Sequence, residues 1–361
     1  MSIKKLVSLL RESLRRRPRP EVPRRLRFGL MSLEDRRLPD ASFALVGNAV
    51  QLDGFDPGAS VEMETIAANT FQFTLTGDVW DATLLPSADF SLDVTNTILT
   101  TTTATPITGL EVGSVNNPAI VTDGALGVQV ADLTIHATGD VTLNAAANDF
   151  DNVSIAGDDV VITDADDLTL DIVSANNTLT VDATGPVSDL AGSDVSATNN
   201  GSFSGSTIDL GNGMFNVGTL TFNSAGSVSI AEDSGTDIVG TNTAGSLDLT
   251  STGAIDDSAA TSIGVTSLAD FDGTSISLGG GTFNAGTLTF NSAGSVTIAE
   301  DSGTDIVGSN SAGSLDLDST GAIDDAGATD VTISGHADFN GSSISLGAGT
   351  FNADTLTFNS V

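Results

Sequence analysis

The feature that most constrains this chain is a long internal repeat. Phe215-Asn-Val-Gly-Thr-Leu-Thr-Phe-Asn-Ser-Ala-Gly returns as Phe283-Asn-Ala-Gly-Thr-Leu-Thr-Phe-Asn-Ser-Ala-Gly, a 68-residue period, and starts again at Phe351. Aligned without gaps, residues 215–282 and 283–350 agree at 51 of 68 positions. A diverged copy precedes them: Thr178-Leu-Thr-Val-Asp-Ala-Thr-Gly aligns with Ser246-Leu-Asp-Leu-Thr-Ser-Thr-Gly at the same spacing. Copies therefore run over about 147–214, 215–282 and 283–350, with a partial one at 351–361. A fixed long period implies units that bury their apolar faces against one another in a stack.

Each unit has a finer grain. Leu220-Thr-Phe222 leads through a turn to Val228-Ser-Ile230. Leu247-Asp-Leu249 leads to Gly253-Ala-Ile255, and Leu268-Ala-Asp-Phe271 to Ile276-Ser-Leu278. The successive steps from Leu220 to Leu247, Leu268 and Leu288 are 27, 21 and 20 in sequence number. Alternating apolar residues imply strands with one buried face. A rung of that length holding two or three strands is the size of one β-helix coil. The expected fold is all-β: a parallel β-helix, or β-solenoid, with three coils per 68-residue repeat over residues 129–361. Right-handed crossovers are the default. About ten coils make a rod roughly 50 Å long. A string of 68-residue β-sandwiches is the rival architecture.

Residues 41–128 do not repeat. Phe43-Ala-Leu-Val46, Ala49-Val-Gln-Leu52, Val61-Glu-Met-Glu-Thr-Ile66 and Phe71-Gln-Phe-Thr-Leu75 read as short strands, and the single Trp, Trp80, lies among them. A solenoid must close its apolar end, so this stretch is expected to be an N-terminal β cap. A small independent β domain is the other reading.

Charge divides the chain in two. All 12 Lys and Arg lie between Lys4 and Arg37, leaving positions 1–37 at +8 and positions 38–361 at −43. In residues 2–17, Ile3, Leu6, Val7, Leu10 and Leu14 fall on one helical face opposite a basic one, and Pro18, Pro20 and Pro23 stop that helix. Residues 1–40 thus form a basic leader, helical or disordered, suited to an anionic membrane surface or an export machine. A body without Lys or Arg cannot make ordinary salt bridges, and its charge repels nucleic acid. No stretch approaches the ~18 apolar residues of a transmembrane helix. The chain has no Cys, which removes disulfides, thiol catalysis and thiolate metal sites.

Two resemblances bear on function. Leu33-Glu-Asp-Arg36-Arg-Leu38-Pro39 resembles the LEPR-XLL tag of large repetitive bacterial surface proteins, matching it at Leu33, Glu34, Arg36 and Leu38. Asp35 stands where the tag has Pro, and Pro39 where it has a second Leu. The body's strand–turn–Gly–strand grammar is similar to filamentous-haemagglutinin-like adhesin repeats. Together they imply a secreted or cell-surface protein, engaged by export machinery through its leader, with a structural or adhesive role toward an extracellular glycan or surface protein. The sequence stops at Val361, early in a further copy that opens at Phe351, which suggests a longer array.

Catalysis has little support. β-Helix polysaccharide lyases use Arg or Lys, and polygalacturonase-like enzymes pair an Asp cluster with Gly-His-Gly and a basic motif. The body has Asp256-Asp257 and Asp324-Asp325 but neither of the other elements. These Asp pairs recur once per unit, as turn elements do. His136 and His336 sit in unrelated contexts, and Leu278-Gly-Gly-Gly-Thr lacks the P-loop Lys. A polysaccharide-binding or polysaccharide-processing protein is the alternative. A third reading is a calcium-stabilised repeat: Glu232, Asp233 and Asp237 recur as Glu300, Asp301 and Asp305, and Asp164, Asp166 and Asp167 form a further group. Against calcium, the Gly-Gly-x-Gly-x-Asp nonapeptide is absent.

Overall fold

The structure, a computed structural model, describes residues 40–85, 88–114 and 117–360. The leader motif Leu33, Glu34, Arg36 and Leu38 lies outside these residues. Among the described residues the chain is all-β, with 65% in strands and about 12 turns of a solenoid. No helix among the described residues is long and apolar enough to cross a membrane.

The N-terminal segment is antiparallel. β1 (Ser42–Val46) and β2 (Ala49–Asp53) form a hairpin whose tight turn uses Gly47 at φ 65°. β3 (Ser60–Ala67) pairs with β4 (Thr70–Thr76), and β5 (Phe90–Leu92) and β6 (Ile98–Thr102) complete the antiparallel set. Trp80 is fully buried against Phe43 and Phe55, with ring centroids 6.2 and 6.0 Å away. From β7 (Gly109–Val112) and β8 (Ile120–Asp123) onward the pairing is parallel; β7 stacks on β2 and β8 on β3. One apolar core runs from Ala41 to Phe339, so the first strands close the same tube that the coils extend. The continuous ladders and shared core rule out both separate sandwiches and a detached first domain.

Each coil of the repeat array is a triangle of three short sides. Residues 247–251, 255–257 and 263–265 make one, and residues 269–272, 276–278 and 283–285 the next, directly above. Val228, Leu247, Ala269 and Leu288 stack on one side; Ile276, Val296, Leu315, Ala337 and Leu356 on another. The inward residues are apolar because alternate side chains of a strand share a face, and three such faces enclose an apolar core. Phenylalanines fill its corners: Phe203–Phe215, Phe271–Phe283 and Phe339–Phe351 repeat one tilted contact, with centroids 5.4, 5.8 and 5.7 Å apart.

The two shorter steps, Leu247 to Leu268 and Leu268 to Leu288, hold three sides each. The longer step from Leu220 to Leu247 holds four, at 220–223, 228–232, 236–238 and 241–244. One repeat is therefore ten sides, or three coils and one side more, and advances the axis by about 16 Å at the usual strand spacing. Successive copies consequently turn by one side. Leu288 lies on the side of Ala269, and Leu356 on the side continuing from Ile276. The strand of Leu220 continues through Asn223, Thr243 and Gly264 to Asn284, the third side of the same coil.

Candidate functional site

The acidic motif Glu232–Asp237 sits where the extra side is accommodated. Met214–Asn223 runs unbroken across two sides, and the next coil cannot follow it with backbone alone. The Asp233 N–H reaches the Phe215 carbonyl at 2.9 Å, and Leu220 then pairs with Ile238. Between these contacts the Val217 N–H would be an orphan inside the sheet. It donates instead to Glu232 Oε1 at 3.1 Å, from a side chain only 2% exposed. Further along, the Phe222 N–H donates to Asn242 Oδ1 at 2.9 Å, while Asn242 Nδ2 donates to the Val239 carbonyl at 3.0 Å. Gly240, at φ 71°, turns the corner between the two short strands. Thus one carboxyl and one amide replace ladder partners that the backbone does not supply.

The next copy builds the same device. The Ala285 N–H donates to Glu300 Oε1 at 3.0 Å, and the Phe290 N–H to Asn310 Oδ1 at 2.9 Å. Thr304 Oγ1 donates to Glu300 Oε2 at 2.8 Å. In the earlier copy Glu232 Oε2 and Thr236 Oγ1 are both buried without a partner among the described residues. Burial pushes the Glu232 carboxyl up to about 7, against the lowering effects of the Val217 N–H and the Ser234 hydroxyl. Burial raises Glu300 in the same way. Asp164 plays an analogous part earlier in the rod: it accepts the Phe150 N–H at 2.8 Å and the Asp166 N–H at 3.0 Å, and burial raises it to about 6.

The other members of the acidic motif point elsewhere. Asp233 and Asp301 are exposed, each one position beyond its buried glutamate. Asp237 stacks on Asp256 and Asp305 on Asp324 in the coil above. Burial first, and then the neighbouring carboxylates, raise both Asp237 and Asp305. Glu232, Asp233 and Asp237 are therefore not brought to one point. Among the described residues no group of three or more acidic or histidine side chains could hold a metal ion.

The Asp pairs have a different task. Asp257 accepts the N–H groups of Gly279, Gly280 and Gly281 at 3.1, 2.9 and 2.9 Å. Asp325 accepts those of Gly347, Ala348 and Gly349, and Asp189 those of Gly211, Asn212 and Gly213. One carboxylate per repeat thus sits in a nest of three backbone donors from the following coil. Burial alone would raise Asp325, but its nest outweighs that and holds the carboxyl below the usual range. Gly281 is fixed by space: a Cβ there would lie 2.0 Å from the Thr261 carbonyl oxygen. His136 and His336 are exposed strand residues, and His336 Nδ1 lies 2.9 Å from Thr355 Oγ1.

A shallow open groove recurs with the repeat. In one copy it has about 590 Å³ and is lined by Ser224, Thr243, Gly245, Thr266 and Asn284. In the next it has about 390 Å³, with Ser292, Ser311, Gly313 and Ser334 at the equivalent positions. The diverged copy has a groove of about 440 Å³ at Asn176, Ser196, Thr198 and Asn216. Hydroxyls and amides on a floor of Ala and Gly offer hydrogen bonds, but no cation or aromatic ring. The grooves and the side-chain ladder partners both carry a sequence signal, namely recurrence with the repeat period, although nothing in their local sequence marks their role.

Comparison with known proteins agrees with a repetitive chain. Residues 293–358, nearly one repeat long, are similar to a family described as repeats of unknown function (DUF5649). No curated protein and no solved structure matches the chain.

Proposed function

We propose that this chain is a non-catalytic structural rod, exported by its basic leader and displayed outside the cell or on its surface. The observation that carries the reading is how its recurring acids are employed. Glu232, Glu300, Asp189, Asp257 and Asp325 are each occupied with backbone N–H groups that hold coils together. An acid so engaged supports a long stiff scaffold better than it supports glycoside hydrolysis, which needs two free carboxyls facing one bond. An outer surface of Asp, Ser, Thr and Asn suits an extracellular spacer or adhesive stalk. Export is tested by comparing the full chain with one lacking residues 1–40 in the native host. Surface protease should reach the full chain and spare the truncated one; a truncated chain that still arrives outside overturns the leader's role.

The recurring groove favours a second reading, in which the rod holds an extracellular glycan. Each copy of this hydroxyl-lined groove is turned one side from the last, so a glycan chain winding around the rod would be held weakly by one groove and more firmly by several. Retention of the chain on insoluble cell-wall polysaccharide, lost when Thr243 and Thr266 are both replaced by Val, supports this reading. Equal elution of the two proteins removes it.

A further inference from the structure

The segment between β2 and β3 contains the chain's single Asp-Pro bond, Asp56-Pro57, set in the turn Asp56-Pro57-Gly58-Ala59. Gly58 has φ 90°, and the Ala59 N–H donates to the Asp56 carbonyl at 3.0 Å, as in a type II turn. We propose that the folded protein cleaves its own backbone between Asp56 and Pro57 in mild acid. Three features of the turn converge on that bond. The Ala59 N–H polarises the carbonyl that must be attacked and is placed to stabilise an oxyanion on it. Asp56 Oδ1 is buried without a hydrogen-bond partner among the described residues, so none of their donors competes for the attacking oxygen. Pro57 and Gly58 are exposed, leaving the departing nitrogen open to water.

The charged groups around Asp56 favour its reactive form. Burial raises its carboxyl first, and the carboxylates of Asp78, beyond β4, and Asp40, ahead of β1, raise it further. Asp78 Oδ2 accepts the Asp56 N–H at 3.0 Å, which fixes the residue at the turn. The protonated acid therefore persists to a higher pH than in a free peptide.

The chemistry balances with water as the only co-reactant. The side-chain carboxyl oxygen attacks the Asp56 backbone carbonyl carbon and closes a five-membered cyclic anhydride. The bond from that carbon to the Pro57 nitrogen breaks. Its electron pair stays on nitrogen, which takes the proton the carboxyl gives up. Water then opens the anhydride to two carboxyl groups. The products are residues 1–56 and a chain beginning at Pro57. The first carries the leader and the β1–β2 hairpin, which stays docked through the register Ala49–Gly109 to Leu52–Val112. The cut is therefore silent until the hairpin is pulled away.

The test incubates the full chain at about pH 4 and about pH 7 and follows intact mass under denaturing conditions. The expected result is one cut, after Asp56, at least tenfold faster in the acid buffer. Asp56→Glu, which needs a six-membered ring, and Pro57→Ala should each slow it at least tenfold while circular dichroism stays unchanged. A synthetic peptide of residues 52–61, which lacks the fixed turn and the buried Asp56 oxygen, should cleave at least tenfold more slowly than the folded chain. No cut at this bond, or equal rates for peptide and protein, overturns the proposal.

Discussion

Glu232 gives the solenoid a pH dependence whose sign and size follow from its surroundings. Its carboxyl ordinarily titrates at 4.5 and is raised to about 7 in the folded chain. Below about 4.5 the folded and unfolded chains are both protonated there, and the full stabilisation is present. Above that, the unfolded chain ionises while the fold still holds its proton. Stability is lost progressively as pH rises through the interval and is gone once pH passes about 7. A difference of about 2.5 in pKa corresponds to about 3 kcal/mol. Glu232→Gln keeps an oxygen for the Val217 N–H and removes the titration. Unfolding of a repeat array need not be two-state, so a local readout is preferable. Hydrogen exchange at the Val217 amide serves, because Glu232 Oε1 is its acceptor. Corrected for intrinsic chemistry, protection of the natural chain should fall about three hundredfold between pH 4 and pH 8, the equivalent of about 3 kcal/mol. In the Gln variant it should stay level. Parallel curves for the two proteins would refute the assignment of this buried acid.

Other outcomes test the turns and the repeat geometry. Asp257→Ala leaves three N–H groups without their shared acceptor and should cost on the order of 2 kcal/mol, read as a lower melting midpoint; Asp257→Asn, which keeps one acceptor oxygen, should cost less. Deleting residues 215–282 removes ten sides and joins equivalent positions, so the shortened chain should keep its β-sheet circular dichroism and lose about 16 Å of length in solution scattering; loss of the β signal contradicts the side count. Millimolar calcium or a chelator should leave the melting midpoint unchanged, since the motif's carboxylates do not converge; a rise of several degrees with calcium would restore the calcium reading.

Much of the fold was legible because its strongest strands advertise themselves. Leu247-Asp-Leu249 and Phe271 with Ile276-Ser-Leu278 alternate cleanly, and their spacing supplied the coil length. The fourth side within the step from Leu220 to Leu247 was not legible. It depends on Thr236-Asp-Ile238 and Thr241-Asn-Thr-Ala244, where the inward residues include Thr236, Asn242 and Ala244. A buried Asn bonded to backbone has no signature in hydrophobic period. Glu232 did leave a trace: Val228, Ile230 and Glu232 share one face by simple alternation, so the period places the carboxyl inside. Reading it as a calcium ligand gives its charge more weight than its position. The Asp257 nest was half legible, as a once-per-unit turn element whose partners, one coil further along the chain, only the stacking reveals.

Ten is not a multiple of three, and this mismatch shapes the surface more than any single residue does. Copies agreeing at 51 of 68 positions never lie directly on themselves. Phe215 stacks on Val195, Phe283 on Ile263 and Phe351 on Val331. The core tolerates this because a ladder needs only apolar neighbours of compatible size. The exterior gains from it in two ways. Identical segments in register form the self-complementary stacks of fibrils, and turning each copy by one side separates them. Each repeat's set of carboxylates is also moved about 16 Å along the axis and onto another face, beyond the ~8–10 Å over which exposed charges interact in physiological salt. Stacks such as Asp237 on Asp256 arise within a copy, not between copies, so their repulsion does not accumulate as repeats are added. A body with no Lys or Arg can therefore lengthen by whole repeats without building a continuous acidic ridge.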